Sequence, residues 1–266
     1  MDKLQRYNQR LLAVGGTVIA AGVAVLLLAA LFLVGSEIYG DYRRAQVQDY
    51  SLNVQSSESE RETLISKDIS FSRPHLADTL KGIYIIPVEQ VNLEKPEKAQ
   101  YAGSDSKTES YRGGYAKLSY SGAYNNLLIY RELTGEKRFL FDEKIFISRF
   151  SSEIIQGKLY LFIAAAKSDS DENGKLNWDD LHDLYVYDFE SDNLQLFAFS
   201  GYSFNDYYIA ESEKEAFLRY HSDKNGDGTI NHFREPLLLK QISLPDFRIF
   251  NFIEEEEIMH LKKMIN

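Results

Sequence analysis

The chain has 266 residues, a net charge of −10 at pH 7 and no cysteine. Its length allows one domain with a substantial hydrophobic core. The absence of cysteine excludes a disulfide framework and a thiolate metal site. The acidic balance argues against a nucleic-acid partner, because phosphate contacts need a basic surface.

An uncharged, mostly apolar run extends from Leu11 to Val34. At about 1.5 Å per residue, a helix of this length covers the roughly 30 Å hydrocarbon core of a bilayer. Tyr7 on one side and Tyr39 and Tyr42 on the other suit the two membrane interfaces. A cleaved signal peptide is the alternative, but the apolar core of such a peptide usually has only about 7–15 residues. We therefore expect residues 1–40 to form a cytoplasmic N-terminus and a transmembrane anchor.

Basic residues are slightly more frequent before this run than after it. Lys3, Arg6 and Arg10 precede the run, whereas Arg43 and Arg44 follow it among acidic residues. The positive-inside rule then places the N-terminus in the cytoplasm and the remainder outside. We expect a single-pass protein of the inner (cytoplasmic) membrane whose C-terminal domain lies outside the cytoplasm, in the periplasm.

The composition changes again after the anchor. Residues 41–73 are polar and cannot bury a core, which is typical of a stalk. Residues 74–266 are rich in aromatic and branched side chains between turn residues, and we expect them to form a β domain. Within that domain, the polar segment 94–114 predicts a long surface loop. The tail, Glu254–Ile265, has acids at its start and lysines near its end, which favours a C-terminal helix.

An internal repeat of about 55 residues organises the β domain. Each unit ends with a strand, a short polar turn and a second strand that ends on phenylalanine, which predicts a hairpin. The three hairpins are Leu127–Phe141, Leu184–Phe197 and Leu237–Phe250. A further strand candidate precedes the second and the third hairpin, at Lys158–Ile163 and Ala216–Tyr220. The first unit is only partial, and the segment Gly82–Pro87 is a candidate vestige of another.

Two Asp-rich segments connect these strand candidates to their hairpins: Asp169–Asp180, called loop 1, and Asp223–Glu235, called loop 2. Each loop has short oxygen-bearing side chains at alternate positions, then a glycine, then an aliphatic residue two positions further on. This spacing lets one tightly curled loop collect oxygens at 2.3–2.6 Å from a Ca²⁺ ion. We therefore expect calcium to be the cofactor.

The two loops resemble EF-hand-type calcium loops, although no flanking helices are predicted. The repeat resembles a blade of the β-propellers found in Tol-system periplasmic proteins and their WD40-like relatives, in which an Asp-rich loop can interrupt a hairpin. This resemblance covers about Tyr115 to Ile253. It implies an antiparallel all-β domain of the propeller or sandwich kind, and a closed propeller needs at least about four blades.

The resemblance implies six ligands in loop 1. Gly174 takes the sharp turn, and the closing position, which is usually glutamate, is the shorter aspartate Asp180. We expect this exchange to lower the calcium affinity or the discrimination against Mg²⁺. The implied ligands are Asp169, Asp171, Asn173, the Lys175 carbonyl, Asn177 through water, and Asp180.

Loop 2 follows the same pattern over its first nine residues, with Asp223, Asn225, Asp227, the Thr229 carbonyl and Asn231 as implied ligands. It then departs from the pattern, because the closing position holds Arg234, whose like charge excludes it as a ligand. The nearest acid is Glu235, one residue later. Either Glu235 swings in after a one-residue bulge, or the site uses only its first half and water.

A metal-free interpretation of both loops stays open at this stage. Aspartate, asparagine and glycine also form tight turns for backbone reasons alone. The five histidines show no spacing typical of a transition-metal site, and isolated surface histidines are the simpler interpretation.

The sequence shows no nucleophile elbow or phosphate-binding glycine loop, and we predict that the protein is not an enzyme. We expect a membrane-anchored, calcium-stabilised β domain that acts as a binding or assembly module with a protein partner. The alternative is an accessory subunit of a membrane enzyme or transporter. Gly16, Ala20 and Ala24 favour that alternative, because small residues at this spacing allow close packing of membrane helices. A hydrolase with an acidic active site is a third possibility.

Overall fold

The computed structural model describes residues 52–53, 67–92, 108–112, 115–244 and 246–265. Most of these residues lie in antiparallel strands, and a single helix ends the described chain, as the sequence predicts. The strands are β1 (Leu52–Asn53), β2 (Lys67–Phe71), β3 (His75–Asp78), β4 (Ile83–Asn92), β5 (Thr108–Arg112), β6 (Tyr115–Tyr124), β7 (Asn126–Arg131), β8 (Glu136–Phe139), β9 (Phe146–Ile155), β10 (Lys158–Ala166), β11 (Lys175–Leu176), β12 (Asp183–Asp188), β13 (Asn193–Phe197), β14 (Tyr202–Ile209), β15 (Glu215–Ser222), β16 (Leu237–Ser243) and β17 (Ile249–Asn251), and the helix is α1 (Glu255–Ile265).

Three of the sheets are large, and each of them contains an antiparallel meander. Sheet I has the order β2-β4-β7-β8, with β3 also paired to β4; sheet II has the order β13-β12-β10-β9-β6-β5; and sheet III has the order β14-β15-β16-β17. In each meander the second strand is followed by a long connection and then by a hairpin. The connection lies at 93–125 in sheet I, at 167–182 in sheet II and at 223–236 in sheet III.

This arrangement corrects the description of the first repeat unit. The segment Gly82–Pro87, interpreted as a vestige of another unit, lies largely in β4, which pairs with β7. It is therefore the second strand of the first meander. The hairpin β5–β6 lies within the connection between β4 and β7, so the predicted surface loop 94–114 contains a strand at Thr108–Arg112.

Sheet II contributes to two hydrophobic cores, one on each of its faces. On β10, Leu159, Leu161 and Ile163 pack in the core shared with sheet I, and Tyr160 and Phe162 pack in the core shared with sheet III. A strand buried on both faces has a nearly continuous apolar sequence, which is what Lys158–Ala166 shows. Each such side chain contributes about 1.5–3 kcal/mol by full burial. The strand predicted at Lys158–Ile163 is confirmed.

Residues that the composition assigns to a stalk also form strands. Within 41–73, β2 pairs with β4 along Lys67–Phe71. Further upstream, Leu52 pairs with Leu176 in loop 1 and packs in a small cluster with Phe146. The sheets therefore include parts of the segment 41–73.

The predicted transmembrane segment, Leu11–Val34, lies outside the described residues. Within the described part of the chain, no helix is long and apolar enough to span a membrane. The short helix α1 is exposed along almost its whole length, including Met259, Leu261 and Met264.

Candidate metal centre

Loop 1 curls around the carboxylate of its first residue. Asp169 Oδ2 accepts the N–H of Gly174 at 2.7 Å, and its Oδ1 accepts the N–H of Asn173 at 3.1 Å. Gly174 has a φ of +81°, a conformation that glycine adopts without steric cost. Asp171 accepts the backbone N–H of Asn173 at 3.1 Å and its side-chain amide at 2.7 Å. The carboxylates at the first and third positions of the loop therefore accept N–H groups from the fifth and sixth positions, which curls the loop.

The last residue of loop 1 closes this turn. Asp180 is only 2% exposed, and its carboxylate accepts the N–H of Ser170 and the N–H of Asn177 at 2.7 and 2.8 Å. Burial raises the pKa of the Asp180 carboxyl above its ordinary value, although these two N–H groups oppose the shift. The carboxylate is therefore held in a position where it lacks most of its hydration.

The three acids of loop 1 converge. One carboxylate oxygen each from Asp169, Asp171 and Asp180 lies within 4.8 Å of the others. Two oxygens on opposite sides of a calcium ion are at most about 5 Å apart, because each lies 2.3–2.6 Å from it. The spread of the three oxygens therefore fits a single ion of that size.

The remaining residues implied for loop 1 stay close to the turn. The side-chain oxygen of Asn173 accepts the N–H of Lys175 at 2.9 Å, and that of Asn177 accepts the N–H of Asp179 at 2.7 Å. Lys175 lies in β11, where it pairs with Asn53 of β1. This pairing fixes the middle of loop 1 to a strand from upstream in the chain.

Loop 2 repeats the scaffold of loop 1. Asp223 accepts the N–H of Gly226 at 2.7 Å and the N–H of Gly228 at 3.0 Å. Asp227 accepts the amide of Asn225 at 2.6 Å, and from Thr229 it accepts the N–H and the hydroxyl at 3.0 and 2.8 Å. The hydrogen bonds from Thr229 lower the pKa of the Asp227 carboxyl.

Glu235 closes loop 2 in the same way as Asp180 closes loop 1. Its carboxylate accepts the N–H of Lys224 and the N–H of Asn231, each at 2.8 Å. These two donors occupy the same loop positions as Ser170 and Asn177. Hydrogen bonding, above all from the N–H of Asn231, lowers the pKa of the Glu235 carboxyl.

A turn absorbs the additional residue of loop 2. The N–H groups of Arg234 and Glu235 both donate to the carbonyl of Asn231, at 3.0 and 2.9 Å. Arg234 is exposed, whereas the Glu235 side chain is buried. Of the two arrangements left open by the sequence, this geometry matches the one in which Glu235 swings in after a one-residue bulge. In the described part of the chain, however, the group of three converging acids is found in loop 1.

The two loops are in direct contact, which the sequence does not predict. Ser170 Oγ lies 2.5 Å from the carbonyl oxygen of Gly228 and also accepts the N–H of Leu181 at 2.8 Å. Loop 1 follows β10 and loop 2 follows β15, which are the second strands of the meanders in sheets II and III. Because these two sheets pack on each other, the loops come into contact.

Three histidines close to the loops make specific hydrogen-bond contacts. His182 is buried behind loop 1, with its Nδ1 2.8 Å from the carbonyl of Asp180, and burial lowers its pKa to about 4. His221 lies at the end of β15, and its Nε2 is 3.0 Å from His232 Nδ1. The sequence gives no signal for this pair, because the two histidines are 11 positions apart and only the fold of loop 2 joins them.

No known protein family matches this chain, and no curated protein matches it.

Proposed function

We propose that this chain is a membrane-anchored, extracytoplasmic β domain that binds Ca²⁺ in loop 1 and loop 2 and acts as a binding or assembly module. The observation that carries the proposal is the convergence of Asp169, Asp171 and Asp180. The equivalent scaffold of loop 2, closed by Glu235, supports a second ion. The ions have a structural role in this proposal.

A bound calcium ion would stabilise this part of the fold through electrostatics. Three carboxylates that meet within 4.8 Å repel one another, and a cation between them removes that repulsion. An ion that binds only the folded chain adds about 2.7 kcal/mol at a concentration 100 times its Kd. Extracellular calcium modules have a Kd of about 10⁻⁴–10⁻³ M, which suits a domain outside the cytoplasm.

The finer architecture is part of the same proposal. Three meanders stack face to face, and each places its long connection after the second strand. This order supports a propeller-like stack with the two calcium loops at equivalent positions of adjacent blades. A three-layer β sandwich is the alternative description, because the hairpin β5–β6 extends sheet II beyond β9.

The second candidate function is an accessory subunit of a membrane enzyme or transporter. It is favoured by α1, which leaves apolar side chains such as Leu261 (45% exposed) and Met264 (64% exposed) without cover. Co-purification in mild detergent distinguishes the two functions. A membrane enzyme or transporter in stoichiometric amount supports the accessory subunit, whereas its absence supports the independent module.

The calcium proposal is tested by the melting temperature of the full chain in detergent, measured with increasing Ca²⁺. We expect a rise that Asp169→Ala reduces strongly, that Asp223→Ala reduces in part, and that the exposed control Asp246→Asn leaves unchanged. Because the aspartates also cap backbone N–H groups, the calcium-induced shift is compared rather than the melting temperature itself. The absence of any shift in the unsubstituted chain would overturn the proposal.

A further inference from the structure

His221 and His232 meet beside loop 2 in an arrangement that oxygen-binding calcium chemistry does not use. His221 is buried at 6% exposure, whereas His232 lies on the exposed turn that closes the loop. Their facing atoms, His221 Nε2 and His232 Nδ1, are hydrogen-bonded at 3.0 Å. Imidazole nitrogens are typical ligands of transition metals, whereas Ca²⁺ takes oxygen ligands.

A hydrogen bond to a backbone carbonyl fixes the tautomer of His221. Its Nδ1 lies 3.2 Å from the carbonyl oxygen of Glu235, which can only accept a hydrogen bond, so Nδ1 carries the proton. In neutral His221 the lone pair is therefore on Nε2, the atom that faces His232. Histidines that bind metals are commonly held in this way, with the second ring nitrogen donating to a carbonyl.

The ring geometry suits two adjacent ligands of one ion. The ring centroids are 4.6 Å apart, and the ring planes meet at 72°. A straight N–H···N bond of 3.0 Å would separate the centroids by more than about 5 Å, so at least one ring is turned off the N···N line. Two nitrogens bound at about 2.0–2.1 Å and at a right angle lie about 2.9 Å apart, close to the observed distance. A tetrahedral ion needs a wider separation, about 3.3 Å.

We propose that His221 and His232 form a two-histidine site for a transition-metal ion with tetragonal geometry, of which Cu²⁺ is the strongest binder. Water completes the shell, because His232 is exposed. The bound ion links β15 to the turn that holds Glu235, and the net charge of −10 attracts cations to the chain. Arg234, in the same turn, opposes this attraction locally. The site does not depend on the calcium proposal.

The test is titration of Cu²⁺ into the full chain, purified without a polyhistidine tag and followed by electron paramagnetic resonance. We expect one tightly bound ion with coupling to two imidazole nitrogens and a rise in melting temperature. His232→Ala removes an exposed side chain but also the 3.0 Å contact to the buried His221, so the copper-induced rise is compared rather than the melting temperature itself. We expect the variant to weaken binding at least tenfold and to abolish the rise. His260→Ala, an exposed histidine on α1, is the matched control and leaves both unchanged.

Two outcomes overturn the proposal: a spectrum with coupling to a single imidazole, or an affinity that His232→Ala does not change. Asp223→Ala separates this site from the calcium site, because it removes a calcium ligand of loop 2 and leaves both imidazoles in place. Retention of the two-nitrogen signal in that variant, together with loss of its calcium response, supports two distinct sites. Loss of the copper signal in Asp223→Ala, with the fold retained, counts against the histidine pair.

Discussion

Gly228 of loop 2 lies directly against the backbone of Ser170 in loop 1. A Cβ atom on Gly228 would overlap the carbonyl group of Ser170 and would stand 2.8 Å from the nitrogen of Asp171. Ser170 also donates its N–H to the closing carboxylate of Asp180 at 2.7 Å. Gly228 of loop 2 and Asp180, the acid that closes loop 1, therefore both contact Ser170, and a displacement of either loop moves the other.

The first prediction concerns this contact. Gly228 has a φ of +76°, so Gly228→Ala costs about 1–2 kcal/mol in backbone conformation. Overlap with Ser170 adds about 1–3 kcal/mol of overpacking. Urea unfolding of the full chain measures the sum. Gly226→Ala is the matched control, because Gly226 has a φ of +71° in the same loop and no atom within 4 Å of its Cβ position. Equal destabilisation by the two substitutions would contradict the close approach of the loops.

The second prediction concerns the closing acid of loop 2. Glu235→Gln replaces one carboxylate oxygen with an NH₂ group, which cannot accept the N–H of Lys224 or Asn231. We expect it to lower the melting temperature and to remove the part of the calcium-induced shift that Asp223→Ala also removes. Arg234→Lys, which keeps the charge at the exposed position where the EF-hand pattern places its acid, is the control and should change neither. If Glu235→Gln left the calcium-induced shift intact, Glu235 would not be the closing ligand.

Much of the fold is readable from the sequence, because it rests on local patterns. The apolar run within Lys158–Ile163 predicts a strand, and the three hairpins follow from strand and turn residues. In the structure this strand extends to Ala166 and is buried along nearly its whole length. Both loops are identified by the spacing of their residues. Glu235 is identified as the nearest acid after the closing position of loop 2, which holds Arg234.

The rest depends on which distant segments meet, and no local pattern encodes that. The polar composition of 41–73 does not reveal that Leu52 pairs with Leu176, because a two-residue bridge needs no periodic sequence. The first repeat is obscured because its two halves are separated by the hairpin β5–β6. The pair His221 and His232 and the contact between the loops follow from the stacking of the sheets, which is a tertiary property.

The third prediction concerns the pH dependence of stability. Asp183 begins β12, and burial raises its pKa to about 6, although Lys167 opposes the shift. The ordinary pKa of aspartate is about 3.9. Between about pH 4 and pH 6, the folded chain keeps a proton on Asp183 that the unfolded chain has lost. The contribution of Asp183 to the free energy of unfolding therefore falls as the pH rises through this window, and it is level above pH 6.

Asp183→Asn removes this contribution. We expect the variant to be more stable than the unsubstituted chain by about 1–2 kcal/mol at pH 7.5, because solvent reaches part of the Asp183 side chain and reduces the effect, and to differ little from it at pH 4. Urea unfolding at the two pH values, with the exposed Asp246→Asn as control, gives the comparison. Other carboxyls, such as Asp206 beside Arg219, have a lowered pKa and the opposite pH slope, so only the difference between variant and parent is informative. A difference that is the same at both pH values would show that Asp183 is not the titrating group.

The fourth prediction separates a partner-binding role of α1 from a structural one. Ile258, Leu261 and Ile265 lie on one face of the helix, with Met264 at its border, and Leu261 and Met264 are exposed. Charged substitutions at exposed positions usually change stability by less than about 0.5 kcal/mol. We expect Leu261→Asp combined with Met264→Asp to leave the urea midpoint unchanged and to release any protein that co-purifies with the full chain in mild detergent. Glu256→Gln, on the opposite face, should retain that protein. A lowered urea midpoint would instead show that this face packs on the β domain, and retention of the protein by the double variant would exclude α1 as its binding surface.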